Sequence, residues 1–168
     1  MLRVIFDTNI YGHLFKEPDA LDLKKKITKD KDFVIYGYQP IRKELRDIPK
    51  ISRLSKQTRV LLLSMYDELT GNHLLKNSTK INHLAKKYYD YYRKLGGNYG
   101  WDTSIRVDFM IVACASIKGL DVVYSADNKT LLSKSAVKSY NHINLKENYR
   151  TPNLLKYIDL LTKYRELD

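Results

Sequence analysis

Apolar positions along this chain fall into two patterns. Short, mainly apolar runs at Leu2–Phe6, Phe33–Tyr36 and Val122–Ser125 are built largely from Leu, Val, Ile, Phe and Tyr. Each is bounded by turn-forming residues, so each reads as a buried strand. Longer stretches repeat their apolar residues at helical spacing. Pro18 opens a helix whose stripe is Ala20, Leu21, Leu23 and Ile27, with Lys24, Lys25 and Lys26 on a solvated face. Pro40 opens another, through Ile41, Glu44, Leu45 and Ile48 to a stop at Pro49.

A longer helix is predicted from about Ser52 to Leu69, with Leu61, Leu62, Met65 and Leu69 facing inward. Ser78 can cap the next, which carries Ile81, Leu84, Ala85, Tyr88, Tyr92 and Leu95 and ends at Gly96-Gly97. Asp102 or Thr103 can cap a helix through Ser116, closed by Gly119. A short helix near Thr130–Ser133 and a brief strand near Tyr140–Ile143 follow. Thr151-Pro152 starts a last helix, with Leu154, Leu155, Ile158 and Leu161 on one side. Strands alternating with helices define an α/β domain with a mainly parallel sheet. The expected organisation is one domain over residues 1–168, with a helical elaboration at about 52–95.

Composition narrows the setting. Apolar residues are 43% of the 168, enough for a core, and no apolar run approaches the length of a membrane span. The first residues turn acidic too early for a signal peptide, so a cytoplasmic location is expected. One cysteine, Cys114, excludes an internal disulfide framework and a cysteine-based zinc site. The four histidines (His13, His73, His83, His142) show no metal-ligand spacing.

The net charge of +11 favours a polyanionic partner. Its distribution is uneven. Residues 41–60 hold 7 basic and 2 acidic side chains and residues 71–100 hold 6 and 1, whereas residues 101–128 hold 2 and 4. That negative island is either helix capping or a cation site facing a phosphate.

Open α/β sheets bind ligands beyond the carboxyl ends of their strands. Asp7 directly follows the first strand, and Asp127 lies two residues past Val122–Ser125. Glu44 lies early in the helix after the second strand, and Asp108 lies early in the helix leading to Val122. Four carboxylates would share one rim, and such a group stays ionised only with a cation to neutralise it. Hard oxygen donors suit Mg²⁺ or Mn²⁺, one or two ions, which support attack on a phosphodiester without a histidine base or covalent nucleophile.

Val4-Ile5-Phe6-Asp7-Thr8-Asn9, helical Glu44, Val107-Asp108 before Ile111-Val112-Ala113, and Tyr124-Ser125-Ala126-Asp127 resemble PIN-domain ribonucleases. The resemblance covers roughly residues 1–50 and 102–145. It implies a three-layer α/β/α sandwich with a parallel sheet ordered 3-2-1-4-5. It also implies a metal-dependent endoribonuclease, a toxin of the VapC type or an RNA-processing enzyme. Asp7, Glu44, Asp108 and Asp127 would be its catalytic metal ligands, with Asn9 and Ser125 as supporting polar groups. RNA, an antitoxin or processing partner, and a second copy in a homodimer are the partners so implied. Two features differ from the family pattern: Gln39-Pro40 stands where small hydroxyl residues often precede the glutamate, and the 52–95 stretch is longer and more basic than in compact toxins.

Three of the four acids, and Asp102, also have a plainer role open to them. Asp7 can end a strand, Asp127 and Asp102 can cap helices, and Glu44 can pair with Arg42, Lys43 or Arg46. For RNA contact the candidates are Arg42, Lys43, Lys86, Lys87, Tyr89, Arg93 and Lys94, since aromatics among cations suit stacked single-stranded bases. Tyr88, Tyr92 and Leu95 are expected in the core. A non-catalytic RNA-binding module of the same fold is the alternative. A haloacid-dehalogenase-like phosphatase is a lesser one, because Asn9 stands where that family has a second aspartate.

Overall fold

Five strands, all parallel, form one sheet in the order β3-β2-β1-β4-β5. A computed structural model describes residues 1–48 and 53–165. In chain order the elements are β1 (Leu2–Phe6), α1 (Thr8–Lys16), α2 (Ala20–Lys29), β2 (Phe33–Tyr38), α3 (Gln39–Arg46), α4 (Arg53–Thr70) and β3 (Leu74–Leu75). Then come α5 (Thr79–Lys94), α6 (Ile105–Lys118), β4 (Val122–Ser125), α7 (Lys134–Glu147), β5 (Asn153–Lys156) and α8 (Tyr157–Arg165). The predicted order 3-2-1-4-5 is the observed one, and helices flank the sheet. No helix among the described residues is long and apolar enough to cross a membrane.

β1 is central, paired to β2 from Leu2↔Phe33 and to β4 from Val4↔Val122. Val4, Ile5 and Phe6 are therefore buried completely, each contributing about 1.5–3 kcal/mol of transfer free energy. Because every strand runs the same way, the ends of β1, β2 and β4 meet on a single edge. The start of α6 must return to that edge for the chain to enter β4.

Several elements depart from the sequence prediction. Asp7 does end a strand, but it also starts α1, whose Ile10, Tyr11 and Leu14 are buried. Residues 52–95 are not purely helical: Leu74–Leu75 adds the edge strand β3 beside Gly37 and Tyr38. The predicted helix start at Ser52 and stop at Pro49 lie outside the described residues. Leu61 is exposed, while Leu62 and Met65 face the core.

The stretch Tyr140–Ile143 is not a strand. It lies inside α7, which Ser133 caps by accepting from the Ala136 N–H at 3.3 Å. The buried face of α7 includes Ser139 and Asn144, polar residues that hide its helical period. Asn144 is satisfied by Tyr88, Ser116 and Thr151. Thr130–Ser133 is a turn, not a helix. Leu154 and Leu155 belong to β5, and the last helix begins only at Tyr157. The open edge of β4 decides this, pairing Val122–Ser125 with Asn153–Lys156.

Gly37 has a local constraint. A Cβ there would collide with the Tyr66 hydroxyl and come 2.8 Å from Leu74. Gly37→Ala is expected to destabilise the fold by about 1–3 kcal/mol through overpacking. A chemical denaturation midpoint measured beside that of the parent chain checks it.

Candidate active site

Asp7 is held where β1 meets β4. Its N–H donates to the Tyr124 carbonyl at 2.9 Å, and its Oδ1 caps α1 by accepting from the Thr8 N–H at 2.7 Å. Its Oδ2 accepts from the Ser125 hydroxyl at 2.7 Å. That same Ser125 Oγ accepts from the Asp127 N–H at 3.0 Å. Asn9 holds the adjoining turn, its Oδ1 accepting from the Ala126 N–H at 3.2 Å.

The network continues across β4. Asp127 Oδ1 accepts from the N–H groups of Lys129 and Thr130 at 2.9 and 3.0 Å, so its turn role is real. Its Oδ2 shares the Thr130 hydroxyl with Asp108 Oδ2, the latter at 2.6 Å. On the other side, the Thr8 hydroxyl donates to Glu44 Oε1 at 2.6 Å. Thr8 and Thr130 were missed in the sequence because hydroxyls next to acids are common in turns. The signal available was position alone: each lies within three residues of a rim aspartate.

Asp7 and Asp108 are 3% and 6% exposed. Burial pushes both carboxyls well above the ordinary aspartate range. The charges of Glu44 and Asp127 push Asp7 further, and those of Asp7, Asp127 and Glu44 push Asp108. Hydrogen bonds from Ser125 and Thr8, and from Thr130, only partly oppose this. Burial raises Glu44 too, against the Thr8 bond. None of the four acids has an ion-pair partner among the described residues; their hydrogen-bond donors are neutral hydroxyls and backbone N–H groups.

Thr130 has one proton for two carboxylates. It can donate to only one of them at a time, and Asp108, which burial pushes up, is able to carry a proton of its own. Buried carboxylates so arranged need either a shared proton or a cation.

Among the described residues, no group of three or more His, Cys, Asp or Glu side chains is arranged to hold a metal ion. The acids are turned instead onto hydroxyls and backbone N–H groups. The donor set is still of the kind a hard divalent cation takes: carboxylate oxygens, half-buried to buried, with no ion-pair partner among the described residues. By its chemistry the site fits Mg²⁺ or Mn²⁺.

Beside the acids, α3 and α6 form the walls of an open groove of about 1240 Å³ that reaches Glu44. Arg42, Lys43, Arg46, Lys76 and Arg106 line it, against Glu44 and Asp47. Asp7, Asp108 and Asp127 are not among its lining residues, so the groove abuts the site from the Glu44 side. Arg42 is engaged by Asp67 through two bonds of 3.1 Å, and Arg46 pairs with Asp47 at 3.4 Å. Lys43, Lys76 and Arg106 have no acidic partner among the described residues.

The other predicted RNA contacts are not among the residues lining this groove. Lys87 pairs with Glu147, Lys86 with Asp90, and Arg93 and Lys94 are exposed near the end of α5. Tyr89 corrects the expectation of a surface ring: it is 9% exposed and packs against Tyr92, Trp101 and Phe109. Its hydroxyl donates to the Tyr99 carbonyl at 3.2 Å. Asp102 is exposed, and the side-chain contact at the start of α6 is instead Thr103 Oγ1, which accepts from the Ile105 N–H at 3.4 Å.

No protein-family model and no curated protein matches the sequence. Solved structures do match along nearly the whole chain. VapBC2 from Rickettsia felis, solved bound to a DNA fragment from its promoter, superposes with a TM-score of 0.60 at 13% identity, covering 92% of this chain and 98% of that one. FitAcB from Neisseria gonorrhoeae gives 0.60 at 16%, covering 92% and 97%. DNA-bound VapBC from Salmonella typhimurium gives 0.59 at 16%, covering 94% and 99%. With its 3-2-1-4-5 parallel sheet, the chain has the PIN-domain fold. Within that class the fold is VapC-like, shared with the VapBC and FitAB structures over 94–99% of the matched chains.

Proposed function

We propose that this protein is a metal-dependent endoribonuclease that hydrolyses RNA phosphodiester bonds. The observation behind this reading is a pair of buried aspartates, Asp7 and Asp108, with no cation partner among the described residues, on the carboxyl edge of the sheet and beside a basic groove. Asp7, Asp108, Asp127 and Glu44 would hold Mg²⁺ or Mn²⁺. Such an ion, when bound, offsets the carboxylate charge, draws in a phosphate and makes a water nucleophilic near neutral pH.

The chain's own residues do the positioning. Ser125 orients Asp7 and fixes the Asp127 backbone, Thr130 ties Asp127 to Asp108, and Thr8 orients Glu44. Lys43 and Arg106, which have no acidic partner among the described residues, attract the phosphate backbone. The solved VapBC and FitAB structures are complexes, which supports an antitoxin-like partner and a toxin role for this chain. RNA processing is the other cellular role for the same chemistry.

Incubation with structured and single-stranded RNA in Mg²⁺ or Mn²⁺ is expected to give internal cleavage. A chelator or the Asp7→Asn substitution should abolish it. Cleavage that persists unchanged in Asp7→Asn overturns the proposal, and metal-independent RNA binding without cleavage would favour a non-catalytic module. Growth arrest on expression, relieved by Asp7→Asn, would distinguish a toxin from an RNA-processing enzyme.

A further inference from the structure

The groove beside Glu44 has more than positive charge. Its wall includes Trp101, the only tryptophan of the chain, together with Val107 and Met110 of α6 and Pro40 of α3. Trp101 is half-buried. Its ring packs on Tyr89 with centroids 5.0 Å apart and planes at 52°, and the Lys86 ammonium lies 5.2 Å from the ring centroid. Tyr89 is in turn anchored to the Tyr99 carbonyl, and the Thr103 hydroxyl donates to the Gly100 carbonyl at 2.6 Å, so both flanks of the Trp101 loop are tied down. The indole is thus a braced aromatic surface lining a groove whose cations without an acidic partner among the described residues are Lys43, Lys76 and Arg106.

We propose that Trp101 is the stacking platform for an unpaired base of a single-stranded RNA segment in this groove, with Lys43, Lys76 and Arg106 along its phosphates. The identity of the polymer rests on the nuclease reading above. The stacking role rests on the groove itself. Cations alternating with an aromatic surface hold single strands, whose base faces are free, whereas a duplex hides those faces in its own stack. At about 1240 Å³ the groove also exceeds the roughly 300–1,000 Å³ of ordinary small-molecule sites. It opens toward Glu44, so a strand seated on Trp101 continues toward the carboxylates. Trp101 positions the strand; it is not placed among the groups that act on the phosphate.

A single tryptophan makes the test direct. Asp7→Asn protein, without divalent cation, is titrated with a single-stranded RNA of roughly ten nucleotides while tryptophan emission is followed. The parallel probes are the same strand with abasic sites, the matching duplex, and an acidic glutamate peptide.

Single-stranded RNA is expected to quench Trp101 emission, with an affinity that falls as salt rises. The abasic strand should bind more weakly and without quenching, and the duplex should not quench. With binding to the tryptophan-free variants followed by the anisotropy of a dye on the RNA, Trp101→Ala should weaken binding of the intact strand by about 5- to 100-fold, the range of one lost base stack, and Trp101→Phe should keep most of the affinity. If Trp101→Ala does not fold, quenching by the intact but not the abasic strand, and retention in Trp101→Phe, decide the matter.

Unchanged affinity in folded Trp101→Ala overturns the assignment, and so does equal quenching by the abasic strand. Quenching by the glutamate peptide at comparable affinity also overturns it, in favour of a protein segment as occupant. If the parent chain fails to cleave RNA with metal while Trp101-dependent quenching persists, the nuclease reading falls and the base platform stands. Cleavage with an unchanged KM in Trp101→Ala has the reverse meaning.

Discussion

Asp108→Asn is expected to do two opposite things: reduce RNA cleavage by on the order of 10³-fold, and make the metal-free protein more stable at pH 8. Asp108 is buried among three other acids, and its carboxyl is pushed up from 3.8 to about 8. Asp7 beside it is pushed up to about 7. A carboxyl whose folded value exceeds its unfolded one binds its proton more tightly in the folded protein. Its favourable contribution is complete below the unfolded value and disappears as pH rises through the folded one. Stability of the metal-free parent chain should therefore fall between about pH 4 and pH 8.

An amide at position 108 keeps the shape of the side chain and the Thr130 contact without the ionisation. It should add about 1–3 kcal/mol at pH 8, or roughly 2–8 °C in Tm for a chain of this size. At pH 5 the gain should shrink. Thermal melts of both proteins at the two pH values, with and without Mg²⁺, check this. Added Mg²⁺ should raise the Tm of the parent chain and leave Asp108→Asn nearly unmoved. A substitution that lowers stability equally at both pH values would show that Asp108 is held as an ordinary structural acid.

The second large effect is expected from residues that no charge-based search selects. Ser125 and Thr130 each join two of the acids, Asp7 with the Asp127 backbone and Asp127 with Asp108. Ser125→Ala and Thr130→Val keep nearly the same volume and remove only the hydroxyl. Groups that orient ligating carboxylates typically contribute 10–100-fold to metal affinity or activity. Each single variant should lose about that much in kcat/KM. The loss should be partly recovered at high Mn²⁺ concentration if affinity is what has been lost. The double variant should lose less than the product of the two, because both hydroxyls act on Asp127. Full multiplicative loss would mean the two sides of the network are independent.

Much of this protein was legible from its residue pattern. Short, mainly apolar runs located β1, β2 and β4, since a strand covered on both faces needs no strict alternation. The turn chemistry of Asp7-Thr8-Asn9 and the early helical positions of Glu44 and Asp108 put four acids on one edge, because parallel strands leave all their carboxyl ends together. Residues 74–75, 140–143 and 153–156 escaped for the opposite reason. Their conformation is decided by partners distant in sequence: the edge of β2 for Leu74–Leu75, the Tyr88 and Ser116 hydroxyls for the Asn144 face of α7, and the edge of β4 for Leu154–Leu155.

The site divides along the same line. The kind and number of its acids, and the excess of cations around them, are properties of the amino-acid sequence alone. Which hydroxyl joins which carboxylate was decided only when β1 and β4 paired and brought Ser125, 118 residues away, to 2.7 Å from Asp7. The aromatic surface shows the same dependence. Sequence placed it at Tyr89, in a basic run, but packing of α5 against α6 buried that ring and left Trp101 on the groove. Periodicity carries the information for local structure, because side-chain direction repeats along the backbone. Exposure and hydrogen-bond partners do not repeat, and only the folded chain assigns them.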